Sequence, residues 1–307
     1  MSTANGGQVA QSNGNDLLFT AGDGITKLNH ELEMYNESTG TLVAWVQIPS
    51  LSPTADTTFY VYYGNAGAPS QQNPSGVWDA NYKGVWHFGD GTTLSANEST
   101  SDGYNGSIVN ATAAAGSVGG AASFQGPSAS IHVDPNVTTT TAAATISFWI
   151  NPSSVATSNS IYGTYSTDSR NNSGTMSIDM GEPYCGQTTN IRFILGGAAC
   201  TTSNILAAGV WTYVTIVYDG TQPSNTMKMK IYSNGVAQTV SDGGVAIRPT
   251  INIVDLHHRI GSFNNSQFNG LLDEVRLSDS IRSPAWITTE YNNQSAPSTF
   301  AVAGPQQ

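Results

Sequence analysis

Residues 211–235 read WTYVTIVYDGTQPSNTMKMKIYSNG. The first run, Thr212–Tyr218, consists of β-branched and aromatic residues that suit a pleated surface, and it ends at the turn pair Asp219-Gly220. The second run, Met227–Ser233, meets Asn234-Gly235, a pair that tolerates the positive φ angles of a tight hairpin turn. No 3.6-residue apolar period intervenes, so the segment predicts neighbouring strands.

The pattern repeats outward from there. Strand candidates recur at Gly84–Phe88, Ser130–Val133, Thr145–Asn151, Ser160–Tyr165, Thr175–Met180, Asn190–Leu195, His258–Phe263 and Gly270–Ser278. Many short strands joined by turns predict an all-β sandwich or jelly-roll. Composition agrees, because 307 residues carry only 10 Lys and Arg with 21 Asp and Glu, too few for salt-laced helices.

Four further runs precede this region: Asp16–Ala21, Leu28–Tyr35, Leu42–Ile48 and Thr57–Tyr63. In Thr41–Pro49 (TLVAWVQIP) both faces of the strand are apolar, which predicts cover on two sides or a strand awaiting a cover. Gly64–Ser75, rich in Gly, Ala, Pro, Gln and Asn, reads as a boundary. One helix is expected, capped by Ser283, opened by Pro284, ending near Asn292 and packed through Trp286.

A formal charge of −11 excludes a phosphate-backbone partner, which needs a basic stripe. The first 80 residues hold seven acids against Lys27 alone. No apolar run approaches the about 20 residues that span a bilayer. Met1–Gly14 has neither the basic nor the apolar region of an export signal, so the protein is expected to reach an extracellular or cell-surface location after loss of a signal, or inside a virion. Cys185 and Cys200 are spaced to bridge a hairpin, which would imply an oxidising compartment; the alternative is two buried thiols.

The runs GVWHF (Gly84–Phe88), ESTSDGYNGSI (Glu98–Ile108), AASFQG (Ala121–Gly126), TISFWINP (Thr145–Pro152), WTYVTIVYDG (Trp211–Gly220), IGSF (Ile260–Phe263) and FNGLLDEVRLSD (Phe268–Asp279) resemble, in order and spacing, the laminin-G-like, concanavalin A-like jelly-roll family. The segment from Asp16 to Pro69 and the tail Arg282–Phe300 resemble a bacterial and archaeal domain of unknown function that commonly precedes such jelly-rolls. That family usually starts with additional strands upstream of Asp16. The expected organisation is therefore a flexible or donated leader (1–15), a small, possibly truncated β-module (16–66), a linker (67–81), the jelly-roll (82–282), and a helix and tail returning to the N-terminal module (283–307).

The resemblance admits glycoside hydrolases as well as binding modules. A retaining hydrolase needs carboxylates about 5 Å apart. In Ser177-Ile178-Asp179-Met180-Gly181-Glu182 the spacing is right, but Ser177 stands where the nucleophile belongs. Lyase chemistry by tyrosine and histidine finds no specific spacing. The resemblance implies a structural calcium at Asp273, with Asp90, Glu98 and Asp102 as candidate partners. Asp168–Gly174 resembles a calcium loop, with Arg170 misplaced in it. Sugar binding would fall to rings and amides near loops: Tyr104, Tyr162, Tyr165, Tyr184, Asn264 and Asn265.

These residues lead to the expectation of a non-catalytic recognition or adhesion protein that binds polysaccharide or a cell-surface glycan through a calcium-stabilised jelly-roll. The rivals are a subunit of a filament or virion, self-assembled through an open sheet edge near Asp16, and a polysaccharide hydrolase or lyase.

Overall fold

The computed structural model describes residues 6–52, 54–134, 141–155, 159–166, 175–181, 189–251, 256–263 and 266–305. The chain is all-β and divides into two compact units, Met1–Ala80 with Ser99–Ser101, and Asn81–Glu98 with Asp102–Gln307.

The first unit holds β1 (Leu18–Ala21), β2 (His30–Asn36), β3 (Thr41–Val46) and β4 (Phe59–Tyr62), paired antiparallel as β1 with β4 and β2 with β3. Its small core gathers Val9, Leu17, Phe19, Leu28 and His30. The leader is not free of this unit. Val9 is buried, and the Asp16 carboxylate accepts the backbone N–H groups of Ala10 at 2.8 Å, Gln11 at 3.2 Å and Gly64 at 2.7 Å. Burial would push the Asp16 carboxyl up, but those N–H groups outweigh it and hold it below its ordinary value. Residues expected to be flexible or donated are thus tied to their own unit, because a buried carboxylate needs their donors.

The second unit is a sandwich of two eight-stranded antiparallel sheets. One comprises β5 (Tyr82–Trp86), β7 (Thr112–Ala115), β8 (Gly120–Ser123), β10 (Ala143–Pro152), β15 (Thr212–Asp219), β16 (Met229–Ser233), β17 (Val236–Gln238) and β22 (Gly270–Ser278). The other comprises β6 (Gly106–Val109), β9 (Ser130–Val133), β11 (Asn159–Ser166), β12 (Ser177–Met180), β13 (Ile191–Leu195), β14 (Gly197–Thr201), β18 (Val240–Asp242) and β19 (Leu256–Ile260). Their facing sides form one core that includes Trp86, Phe124, Ile131, Phe148, Ile178, Phe193, Ile216 and Leu272. A small hairpin, β20 (Ser262–Phe263) with β21 (Ser266–Gln267), lies against β11. The hairpin between β16 and β17 turns at Asn234 and Gly235, with φ of 50° and 76°.

Besides a short helix α1 (Asn225–Lys228), helix α2 (Pro284–Ser295) is followed by α3 (Pro297–Phe300). Ser283 Oγ accepts the Trp286 N–H at 3.1 Å and caps α2. The helix lies on the outer side of the first sheet, so the tail, expected to return to the N-terminal module, packs on the jelly-roll. Ile287 anchors it among Val217 and Tyr232, and Gln294 accepts from Trp149 Nε1 at 2.8 Å. Trp286, the expected anchor, is 44% exposed beneath the Arg282 guanidinium. Adjacent helical positions face different directions, so burying Ile287 turns Trp286 outward.

Between the sheets, Tyr162 and His258 are both buried and share a hydrogen bond between the hydroxyl and Nδ1. Desolvation lowers the His258 ring to a pKa of about 3. A folded value below the unfolded 6.5 means stability is fully present above pH 6.5 and is lost as pH falls towards 3. We expect the difference in unfolding free energy between wild type and His258→Gln to change by up to about 1.4 kcal/mol per pH unit across that window. Urea melts at stepped pH check it, and a pH-independent difference would contradict it.

Candidate functional site

β22 pairs with β10, β8 and β5. Its register with β10 shifts between Ser147 and Trp149, and opposite that shift Glu274 takes a φ of 53°. A left-handed conformation at a residue with a side chain persists only where the surroundings over-determine it. Here they do, since the bulge hands two consecutive, fully buried carboxylates, Asp273 and Glu274, to different partners.

Glu274 meets His87 Nδ1 at 2.5 Å and Arg276 Nη2 at 2.5 Å, and Arg276 Nη1 donates to Glu290 of α2 at 2.6 Å. Burial alone would push the Glu274 carboxyl up, but His87 and Arg276 hold it below its ordinary value. This is a structural network that fixes α2 to the sheet.

Asp273 turns to the loop between β7 and β8. Its Oδ2 accepts Ser117 N–H at 2.8 Å and Val118 N–H at 2.9 Å. A Cβ placed on Gly116 would lie 2.6 Å from Asp273 Oδ2, 2.6 Å from the Gly120 carbonyl oxygen and 2.7 Å from that of Val118. Only glycine fits there, because a side chain would collide with three oxygens that converge beside its Cα. The donor set, one carboxylate with backbone carbonyls, is the hard-oxygen kind that calcium takes.

The other expected calcium partners are engaged elsewhere. Asp90 sits in a loop that abuts Gly120, but its Oδ1 caps its own turn through Thr92 and Thr93 N–H at 2.8 Å each. Glu98 accepts from the N–H groups of Val85 and Gly103, both at 3.0 Å, and Asp102 lies 3.9 Å from Lys83 Nζ. The carbonyls of Val118 and Gly120 carried no sequence signal, because any residue supplies one and only the fold aims it.

Of the expected sugar-binding side chains, Tyr162 is in the core and cannot meet a ligand. Tyr104 is half-buried against the core, and its carbonyl accepts from Trp86 Nε1 at 3.2 Å. Tyr165 lies in β11, but its side chain, like Tyr184, Asn264, Asn265, Cys185, Glu182 and the loop 168–174, is outside the described residues. Cys200 is buried on β14.

On the sheet containing β12, Asp179 accepts Ser160 Oγ at 2.7 Å and Ser177 Oγ at 3.2 Å. Each of its oxygens thus receives a hydroxyl. On neighbouring β9 and β19, Asp134 pairs with His257 Nδ1 and accepts Arg259 Nη1 at 3.2 Å, while His132 Nε2 meets Ser130 Oγ at 2.9 Å.

At one rim of the sandwich lies a cavity of about 520 Å³ lined by Gln125, Gly126, Pro127, Ser154, Asn159, Gln267 and Asn269. Among the described residues its lining is uncharged and rich in carboxamides. Sequence reasoning missed it, since its residues come from three loops far apart in a chain full of Asn and Gln.

With the fold and these sites in view, the family follows. Residues 125–288, more than half the chain, match the model of the concanavalin A-like lectin/glucanases superfamily (Laminin_G_3), and the chain belongs to that family. Residues 13–101 match a domain of unknown function (DUF2341). Among solved structures, domain 4 of AbnA, a GH43 extracellular arabinanase from Geobacillus stearothermophilus, in complex with arabinotriose, is similar at 18% identity and a TM-score of 0.51, covering 69% of this chain and 98% of that one. The binding domain of Paraclostridial Mosquitocidal Protein 1 is similar at 14% identity and a TM-score of 0.50, covering 69% of this chain and 52% of that one, so the chain spans about half its length. These likenesses are of fold. No curated protein matches the chain. No described helix is long and apolar enough to cross a membrane.

Removing the Asp273 carboxylate strands two backbone donors in a buried turn. We expect Asp273→Ala to cost about 2–5 kcal/mol in chemical denaturation without added calcium; a loss under about 0.5 kcal/mol would contradict the staple.

Proposed function

We propose that this protein is a non-catalytic, extracellular glycan-binding module whose jelly-roll is stabilised by calcium at Asp273. The family holds both lectins and glucanases, and the observation that favours the lectin side is Ser177, which stands where a retaining hydrolase needs its carboxylate nucleophile and donates its hydroxyl to Asp179 at 3.2 Å. The similarly folded arabinanase domain, solved with arabinotriose, is in keeping with that side. Asp273 Oδ2 and the carbonyl oxygens of Val118 and Gly120 would hold the ion, and its charge would bind β22 to the β7–β8 turn. A Cys185–Cys200 bridge would suit an extracellular location.

Two outcomes are expected. Wild type binds a subset of a glycan array and releases no sugar from laminarin, alginate, ulvan or carrageenan; sugar release would overturn the non-catalytic reading. Calcium at a hundredfold excess over its Kd raises the melting temperature by about 5–10 °C in wild type and does not in Gly116→Ala, whose methyl would push those three oxygens apart. An equal rise in both would remove the ion from this site.

A second reading, a self-assembling structural subunit, is favoured by β4. Among the described residues only β1 pairs with it, Tyr60, Val61 and Tyr62 are 39%, 36% and 47% exposed, and no charge occurs from Thr57 to Trp78. Edges are commonly protected by charge, and an uncharged antiparallel edge is complementary to its own two-fold copy. The partner on this reading is a second copy's β4. Light scattering at rising concentration should show a dimer that Val61→Lys abolishes, and a monomeric wild type at about 1 mM would exclude it.

A further inference from the structure

Building on the glycan-binding reading, we infer that the rim cavity between the β8–β9, β10–β11 and β21–β22 loops is the sugar site, and that it selects uncharged sugars. Its volume, about 520 Å³, lies within the usual range of small-molecule sites. Its side-chain functions are the carboxamides of Gln125, Asn159, Gln267 and Asn269 and the hydroxyl of Ser154. A carboxamide offers two donors and an acceptor, and a sugar hydroxyl is donor and acceptor at once, so the two match without any change of protonation. A sugar carboxylate or sulfate would meet no cation among the described lining residues and would lose hydration without recompense.

The lining is held in place before a ligand arrives. Gln267 Nε2 donates to the carbonyls of Phe124 at 2.9 Å and Gly126 at 2.6 Å, which occupies its two protons and leaves its oxygen as the group on offer. Gln125 Nε2 donates to Ser153 Oγ at 3.0 Å, and Ser153 N–H donates to the Asn269 carbonyl at 2.9 Å, so the three loops are cross-bonded. Beneath them the buried rings of Phe124 and Phe268 lie 6.4 Å apart between centroids. Such a site spends little entropy on ordering, though with no aromatic ring among its described lining residues it binds weakly, with a Kd on the order of 1 mM.

The test is a set of NMR titrations of the full chain with laminaritriose, cellotriose, xylotriose and maltotriose, and with sialyllactose and trigalacturonate as acidic probes. Two variants are compared: Gln125→Ala with Asn269→Ala, both exposed side chains, and Ser154→Trp, which fills the cavity. At least one neutral trisaccharide should bind wild type and lose tenfold or more in affinity to both variants, whose melting temperatures stay unchanged. Neutral binding that survives both variants overturns the cavity as the site while leaving glycan binding intact. Binding of the acidic probes alone, lost in Arg259→Ala, overturns the ligand class and moves the site to the Asp134, His257 and Arg259 cluster. Failure of every probe here and of every glycan on the array removes the glycan-binding reading, and this site with it.

Discussion

One buried carboxylate organises the larger unit. Asp273 sits on the strand that joins β10, β8 and β5, and it takes two N–H groups from the β7–β8 turn. That bond exists because the neighbouring Glu274 adopts a left-handed backbone, so that both carboxylates are buried and each finds its own donors. Burying two adjacent acids is tolerable only when each finds donors or a counter-charge. Asp273 has the turn, and Glu274 has His87 and Arg276.

From this constraint the rest of the unit follows. Gly116 and Gly120 lack side chains where the turn closes over Asp273, and a methyl at either would collide with oxygen or backbone. Arg276 carries the Glu274 charge outward to Glu290, which fixes α2. The opposite rim, where β10 and β22 meet the β8–β9 loop, is left to neutral amides.

What the sequence made legible was local. Asn234-Gly235 forms its hairpin and Ser283 its cap, because turn and cap chemistry acts within a few residues. The strands β7 (TAAA) and β8 (GAAS) were not legible, since Ala and Gly have little strand preference and their place depends on β22 and Asp273. Tyr162 was read as loop-proximal, yet the register shift between Ser160 and Tyr162 turns its ring into the core. Such a shift changes the face of every side chain beyond it, and no local pattern announces it. Asp273 itself stood out through family resemblance, but the Ser117 and Val118 N–H groups that it accepts are backbone atoms and therefore silent in sequence.

The most direct measurement is native-state hydrogen exchange at Ser117 and Val118. If Asp273 staples the turn to the centre of the sheet, both amides open only with the unit and exchange within about tenfold of Leu271 and Leu272. Exchange at the rate of an unanchored surface loop would contradict the account, whatever the protein binds.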